Sequence, residues 1–180
     1  MKLYFDIDTQ IDFMFPAGSL YVPGAEKLLP LIAKLNREGK LISTTDAHTE
    51  NDPEFKTWPH HCVAGTVGQT KPAALLREKR TVVPNRPVDL EIDGADQIIL
   101  EKQHLSLFTN PNTDALIKAL APAECVVYGV VTEYCVQQCA IGLLDRGYRV
   151  SVVKNAIESL DMTAAARFLS EFAARGGTVV

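Results

Sequence analysis

No apolar run in this 180-residue chain approaches the ~20 residues that span a bilayer, so a membrane-spanning helix is excluded and no membrane partner is expected. A block of Lys and Arg is also missing: 18 basic residues face 22 acidic ones, for a net charge of −4. Nucleic-acid binding needs a basic face, so that class of partner is not expected. The first residues, Met1-Lys2-Leu3-Tyr4-Phe5-Asp6, lack the long apolar core of a secretion signal, and the expected location is the reducing cytoplasm. Cysteine is scarce, at positions 62, 125, 135 and 139, and no two cysteines stand in a C-x-x-C spacing. That leaves out zinc-ribbon and redox motifs, and a chain of this length does not need disulfide staples. No internal repeat, low-complexity tract or linker interrupts the chain, which predicts a single domain over residues 1–180.

What is present is an ordinary globular balance, 47% apolar and 22% charged, with material for a sizeable core. Apolar runs predict strands at residues 3–7, 41–44, 97–100, 125–130, 148–153 and 178–180. Helical periodicity falls between them, over 24–38, 112–120, 133–146 and 163–175. The run Cys125–Val130 is apolar without alternation, as a strand buried on both faces requires. Strands alternating with helices predict a parallel α/β sheet covered on both sides. Residues 46–70 hold three of the four histidines, the one Trp, and several Pro and Gly. Long structured loops of this kind commonly carry function.

In open parallel sheets, ligands bind beyond the carboxyl ends of the strands. The reactive residues gather there: Asp8 and Asp12 after the first strand, Asp46 and His48 after the second, Lys102 after the third, and Cys135 opening the helix after the fourth. A cysteine in the first turn of a helix faces free N–H groups and a positive dipole end, which lower its pKa and can hold an oxyanion. Two readings of Cys135 stand at this point, nucleophile or inert buried thiol. The second suits Cys125 and Cys139. Cys62 is a rival because His61 adjoins it, although neighbouring side chains seldom face each other. Asp8 is a candidate base for the thiol. Its alternative is a cap or turn carboxylate, a role that suits Asp6 or Asp12 better. Lys102 is a candidate partner for Asp8, or else a solvated surface lysine. Asp46-Ala47-His48 sets two ligands on one extended face, and His60-His61 follows, with Asp52 and Glu54 between. A later His can close a three-ligand site with open positions for Zn, Fe or Mn. The same residues can equally serve turns and solvent.

Taken together, these segments resemble the isochorismatase-like cysteine hydrolases. Asp8-Thr9-Gln10-Ile11-Asp12-Phe13 is similar to that superfamily's Asp-x-Gln-x-Asp-Phe opening. Gly129-Val130-Val131-Thr132-Glu133-Tyr134-Cys135-Val136 resembles its nucleophile segment, and Lys102 stands where it keeps a lysine. Thr45-Asp46-Ala47-His48 and Trp58-Pro59-His60-His61-Cys62-Val63 look like nicotinamidases. The resemblance implies a three-layer α/β/α fold around a six-stranded parallel sheet of order 3-2-1-4-5-6. It implies a small-molecule amide substrate, a homo-oligomer, and a place in pyridine nucleotide salvage.

By that resemblance Asp8, Lys102 and Cys135 are the catalytic set, and the backbone N–H groups of Val131 and Cys135 form the oxyanion hole beside a cis Val130–Val131 peptide. Phe13 and Trp58 would sandwich a flat ring. Asp46, His48 and His61 would ligate one divalent ion, with Glu54 as candidate fourth ligand. The chain departs from nicotinamidases in two places. Ala47 replaces a usual Trp, and the run Lys102-Gln103-His104-Leu105-Ser106-Leu107-Phe108 is short and lacks a Tyr. Alternatives are a metal-free ureido or carbamoyl amidase, an isochorismatase, or a non-catalytic ligand-binding module.

Overall fold

A computed structural model describes residues 1–180. Seven parallel strands form one sheet: β1 (Lys2–Ile7), β2 (Lys40–Asp46), β3 (Arg80–Val83), β4 (Gln97–Lys102), β5 (Glu124–Val130), β6 (Val150–Glu158) and β7 (Thr178–Val179). Their order is β3-β4-β2-β1-β5-β6-β7. This corrects the expected six-stranded sheet of order 3-2-1-4-5-6. The six expected strands keep their relative positions, and the unexpected strand, Arg80–Val83, adds to the outer edge beside β4. It is four residues long, runs straight into Pro84, and buries only Val83, so its apolar signal is weak.

Side chains along β1 alternate between two cores. Leu3, Phe5 and Ile7 pack with residues of α3 (Thr113–Leu120), α4 (Gln137–Asp145) and α5 (Met162–Ala174). Tyr4 faces the other core, where α1 (Ile11–Met14) and α2 (Leu29–Leu35) cover the sheet. A strand buried on both faces has no room for the apolar/polar alternation of a half-exposed one, which explains the continuous apolar runs. No helix is long and apolar enough to cross a membrane.

Two further expectations change. The helix expected over 24–38 is a 3₁₀ turn, Ala25–Leu28, leading into a short α2 with Pro30 in its first turn. The helix expected over 133–146 begins with a π-helical turn, Thr132–Val136, and becomes α-helical only at Gln137.

The chain leaves β1 for β2 on one side and reaches β5 on the other, so the strand order reverses at β1. The crevice that this reversal opens lies past Ile7, where the next residue but one is Thr9 and the next is Asp8. Gly129 lies opposite Ile7 with φ +120°, and a Cβ there would run into the Ile7 backbone.

Candidate active site

Asp8 follows β1 with φ +48°, a left-handed conformation that is rare for a residue with a Cβ. Its backbone N–H donates to Thr44 Oγ1 at 3.1 Å, and Thr44 Oγ1 donates to Asp8 Oδ1 at 2.6 Å. Lys102 and Asp46 end their strands as register partners, which sets their side chains next to each other. Lys102 Nζ lies 2.8 Å from Asp8 Oδ2, 2.5 Å from Asp46 Oδ1 and 3.6 Å from Cys135 Sγ. The lysine is 1% exposed and lies beneath the cavity wall. It is therefore not the solvated surface lysine considered above.

Burial alone would raise the Asp8 pKa. The Lys102 charge, and hydrogen bonds from Lys102, Thr44 and Cys135, instead hold it below the ordinary 3.8. Burial also raises Asp46, to about 7: Lys102 opposes the rise and the neighbouring Asp8 charge adds to it. Lys102 itself is raised above its ordinary value, because Asp46, Asp8 and Cys135 outweigh its own burial.

The Cys135 thiol corrects an expectation. Its pKa is raised, first by burial, with the Asp8 and Asp46 charges adding and Lys102 opposing. The first turn is π-helical: Val136 N–H donates to Val131 O at 3.2 Å. The Val130–Val131 peptide is cis. Val131 N–H has no acceptor among the backbone hydrogen bonds. Val131 and Cys135 both line the cavity. The resting arrangement is thus a neutral thiol beside an ionised carboxylate and an ammonium.

Asp46, His48 and His61 place one ligand atom each within 4.8 Å of one another, and all three residues are buried. His48 Nδ1 faces Asp52 Oδ2 at 3.0 Å, while His48 Nε2 is buried without any hydrogen-bond partner. His61 Nδ1 donates to Pro59 O at 2.8 Å, so its Nε2 presents a lone pair. Burial lowers the His61 pKa, which keeps the imidazole neutral and ready to ligate. An orphaned buried nitrogen costs roughly 1–3 kcal/mol unless something occupies it. Two oriented imidazoles and a carboxylate fit a divalent cation, with Asp52 and Pro59 as the outer partners that fix ring orientation. Glu54 Oε1 stands 3.9 Å from His61 Nε2 but outside the compact three.

Phe13 and Trp58 line the same cavity, with Trp58 edge-on to Tyr134 at 5.6 Å between centroids and Phe13 5.3 Å from the His61 ring. Leu20, Leu105 and Leu160 also line the cavity, which the sequence did not signal.

The opening motif contains more than its first Asp. Gln10 clamps the Asp46 backbone from both sides: its Oε1 accepts from Asp46 N–H at 2.8 Å and its Nε2 donates to Asp46 O at 2.9 Å. Asp12 accepts from Cys62 N–H at 2.7 Å and Ser19 N–H at 3.0 Å, so it clamps the loop and does not cap a helix. Cys62 sits at φ +46° with its thiol 3.9 Å from Gly68 O and its pKa raised by burial. A side chain at Gly68 would overlap the Asp12 carboxylate. Cys125 and Cys139 are buried among apolar residues of the larger core.

The fold and site define a parallel α/β protein with a carboxylate–lysine–thiol cluster at its switch point and a His/carboxylate cluster beside it. The Isochorismatase domain matches residues 4–180, and the chain belongs to that family. It is 28% identical over 178 residues to the "Uncharacterized isochorismatase family protein PncA" of Bacillus subtilis (strain 168), covering 93% of this chain and 91% of that one. Its fold is similar to a pyrazinamidase/nicotinamidase from Streptococcus mutans UA159, with TM-score 0.86, 25% identity and full coverage of both chains (100% and 100%). It is likewise similar to the pyrazinamidase of Pyrococcus horikoshii in complex with zinc, with TM-score 0.83 and 26% identity over 99% of this chain and 98% of that one.

Proposed function

We propose that this chain, as one domain over residues 1–180, is a cysteine amidohydrolase that converts nicotinamide to nicotinic acid and ammonia in cytoplasmic pyridine nucleotide salvage. The observation that carries the reading is Lys102 Nζ, 2.8 Å from Asp8 Oδ2 and 3.6 Å from Cys135 Sγ in a buried crevice. A low-pKa carboxylate beside a neutral thiol is a base paired with a latent nucleophile. Asp8 takes the thiol proton as Sγ attacks the carboxamide carbon. The tetrahedral oxyanion faces the N–H groups of Val131 and Cys135. Asp8 then returns the proton to the leaving nitrogen, ammonia departs, and a thioester remains. Asp8 next takes a proton from water as its oxygen attacks the thioester carbon; the C–S bond breaks, nicotinic acid leaves, and Asp8 returns the proton to Sγ. Lys102 favours the ionised form of Asp8 at the start of each half-reaction, so that it is ready to take a proton. Phe13 and Trp58 hold the flat ring.

Asp46, His48 and His61 would hold one divalent ion, Zn, Fe or Mn, with Glu54 as the candidate fourth ligand. Such an ion supplies an open coordination position for a ring nitrogen. The lining suits a flat, largely apolar ring: Phe13, Trp58, Leu105 and Tyr134 stand around the polar cluster.

An ammonia-release assay tests the reading. Turnover of nicotinamide is expected, and Cys135→Ala should lack it. A protein that ignores nicotinamide and cleaves a ureido or carbamoyl substrate would establish the alternative.

A further inference from the structure

A second buried ion pair lies on the opposite face of β1 and takes no part in the chemistry above. Lys71 Nζ stands 3.4 Å from Asp6 Oδ2, and both side chains are fully buried, at 0% exposure. Thr9 closes the group: Lys71 Nζ donates to Thr9 Oγ1 at 2.8 Å, and Thr9 Oγ1 donates to Asp6 Oδ1 at 2.6 Å. Asn36 Nδ2 donates to Asp6 Oδ2 at 2.9 Å, and Tyr128 OH donates to Asn36 Oδ1 at 2.7 Å. Buried charges persist only when paired and hydrogen-bonded, and these are both.

Residues 6 and 9 flank the Ile7–Asp8 turn, and Asp8 is the left-handed residue within it. On the cavity side, Thr44 and Lys102 hold Asp8 by its carboxylate. On the other side, the Asp6–Thr9–Lys71 triangle pins the chain just before and just after it. The loop carrying Lys71 runs alongside residues 10–12. Gly68 O accepts from Asp12 N–H at 3.2 Å, Thr70 O accepts from Ile11 N–H at 2.8 Å, and Gln69 O accepts from Gln10 Nε2 at 2.8 Å. Those acceptors are backbone carbonyls, which any loop sequence offers. At position 71 a particular side chain is needed, because only a long cation reaches Thr9 and neutralises Asp6.

We propose that Lys71, acting through Thr9 and Asp6, is a positioning residue that holds Asp8 in its left-handed conformation and so sets it against Cys135. The inference rests on Asp8 serving as the base for Cys135. Released from the triangle, the turn relaxes toward negative φ and carries the carboxylate away from the thiol.

Three variants test it: Asp6→Asn with Lys71→Met, which removes both charges at similar volume; Thr9→Val, which removes only the bridging hydroxyl; and Thr9→Ser, which keeps it. Three quantities are measured: the rate of Cys135 alkylation by iodoacetamide, and kcat and KM for nicotinamide. In the double variant and in Thr9→Val, alkylation and kcat should fall by roughly tenfold or more while KM moves less than about threefold, because a misplaced base slows the step without changing ring binding. Thr9→Ser should keep both rates within about twofold. Wild-type rates in folded Thr9→Val overturn the proposal, as does an equal loss in Thr9→Ser and Thr9→Val. If the double variant fails to fold, the Thr9 pair decides alone. Asp8→Asn is the control: wild-type alkylation in that variant removes the base reading itself. A wild-type protein inert toward nicotinamide removes only the substrate, and alkylation still decides the proposal.

Discussion

The two clusters in the crevice are built by different means. Asp8 and Lys102 sit at strand ends and Cys135 in the π turn after β5, and sheet register brings two pairs of strands into line: Asp46 and Lys102 are Cα partners, as are Ile7 and Gly129. His48 and His61 come from a loop whose two segments are joined by an isolated bridge, His48 to Val63, and side-chain clamps add to it. Gln10 holds the Asp46 backbone, Asp12 holds Cys62 N–H, and Asp52 holds the His48 ring. Asp46 belongs to both clusters, touching Lys102 on one side and lying 4.0 Å from His48 Nε2 on the other. A side chain within a strand keeps its place when a neighbour is lost because the ladder holds the backbone, whereas Asp8, one residue past β1, depends on its pins. A loop-borne site fails when its clamps go.

The largest expected effect falls on the strand-borne cluster. Cys135→Ala should abolish turnover with the fold intact, whereas Cys62→Ala should keep measurable activity; alkylation that labels Cys62 first, in step with activity loss, would reverse the assignment. Next, Asp8→Asn should lower kcat by at least about 10²-fold. Because the Asp8 pKa is held below the ordinary 3.8, wild-type activity should not fall through protonation of this group until the pH drops below 3.8. Near-wild-type rates anywhere between about pH 5 and 9 would discard Asp8 as the base.

The loop-borne cluster should respond through binding. The purified protein should carry one divalent ion, and chelation or His48→Ala should weaken nicotinamide binding far more than it lowers the unfolding temperature. Cys135 should stay reactive toward iodoacetamide in both. A protein that binds no metal and still hydrolyses nicotinamide would refute the ligand set. A smaller effect is expected one step outward: Asp12→Asn should weaken metal affinity by roughly tenfold, since partners that orient ligands typically contribute that much. Unchanged affinity would mean that the loop holds His61 without its clamp.

Stability, not activity, reports on the sheet beneath both clusters. Burial, with the Glu124 charge adding, pushes the Cys125 thiol from 9.0 up to about 12. Below pH 9 both folded and unfolded states keep this proton, and the contribution to stability is fully present. From about pH 9 to 12 the unfolded chain releases it while the folded chain retains it. Stability therefore falls as pH rises through that window, by up to ~1.4 kcal/mol per pH unit from this group. Cys125→Ala should flatten the alkaline slope of denaturant stability curves. An unchanged slope would mean that the thiol does not feel its burial.

Much of this was legible in the linear order of residues. Apolar runs marked six strands, and a parallel sheet presents ligands past its carboxyl ends, so Asp8, Asp46, Lys102 and Cys135 could be picked out without coordinates. Asp46-Ala47-His48 and His61 were visible as ligand types in a Pro- and Gly-containing loop. The outer strand Arg80–Val83 was not, because an exposed edge needs little apolar signal. Nor was the π turn at Cys135, since a one-residue widening leaves the helical period nearly unchanged.

Local pattern determined which elements form and which chemistry stands at their ends, since both depend on residues close in sequence. Partnership and pKa depend on what comes near in space. Lys71 meets Asp6 from 65 residues away, and Asp12 meets Cys62 from 50. The thiol of Cys135 is raised where its place before a helix predicted the opposite, because burial and two carboxylates outweigh one lysine. Burial is set by the whole packed chain, and only the tertiary structure could decide it.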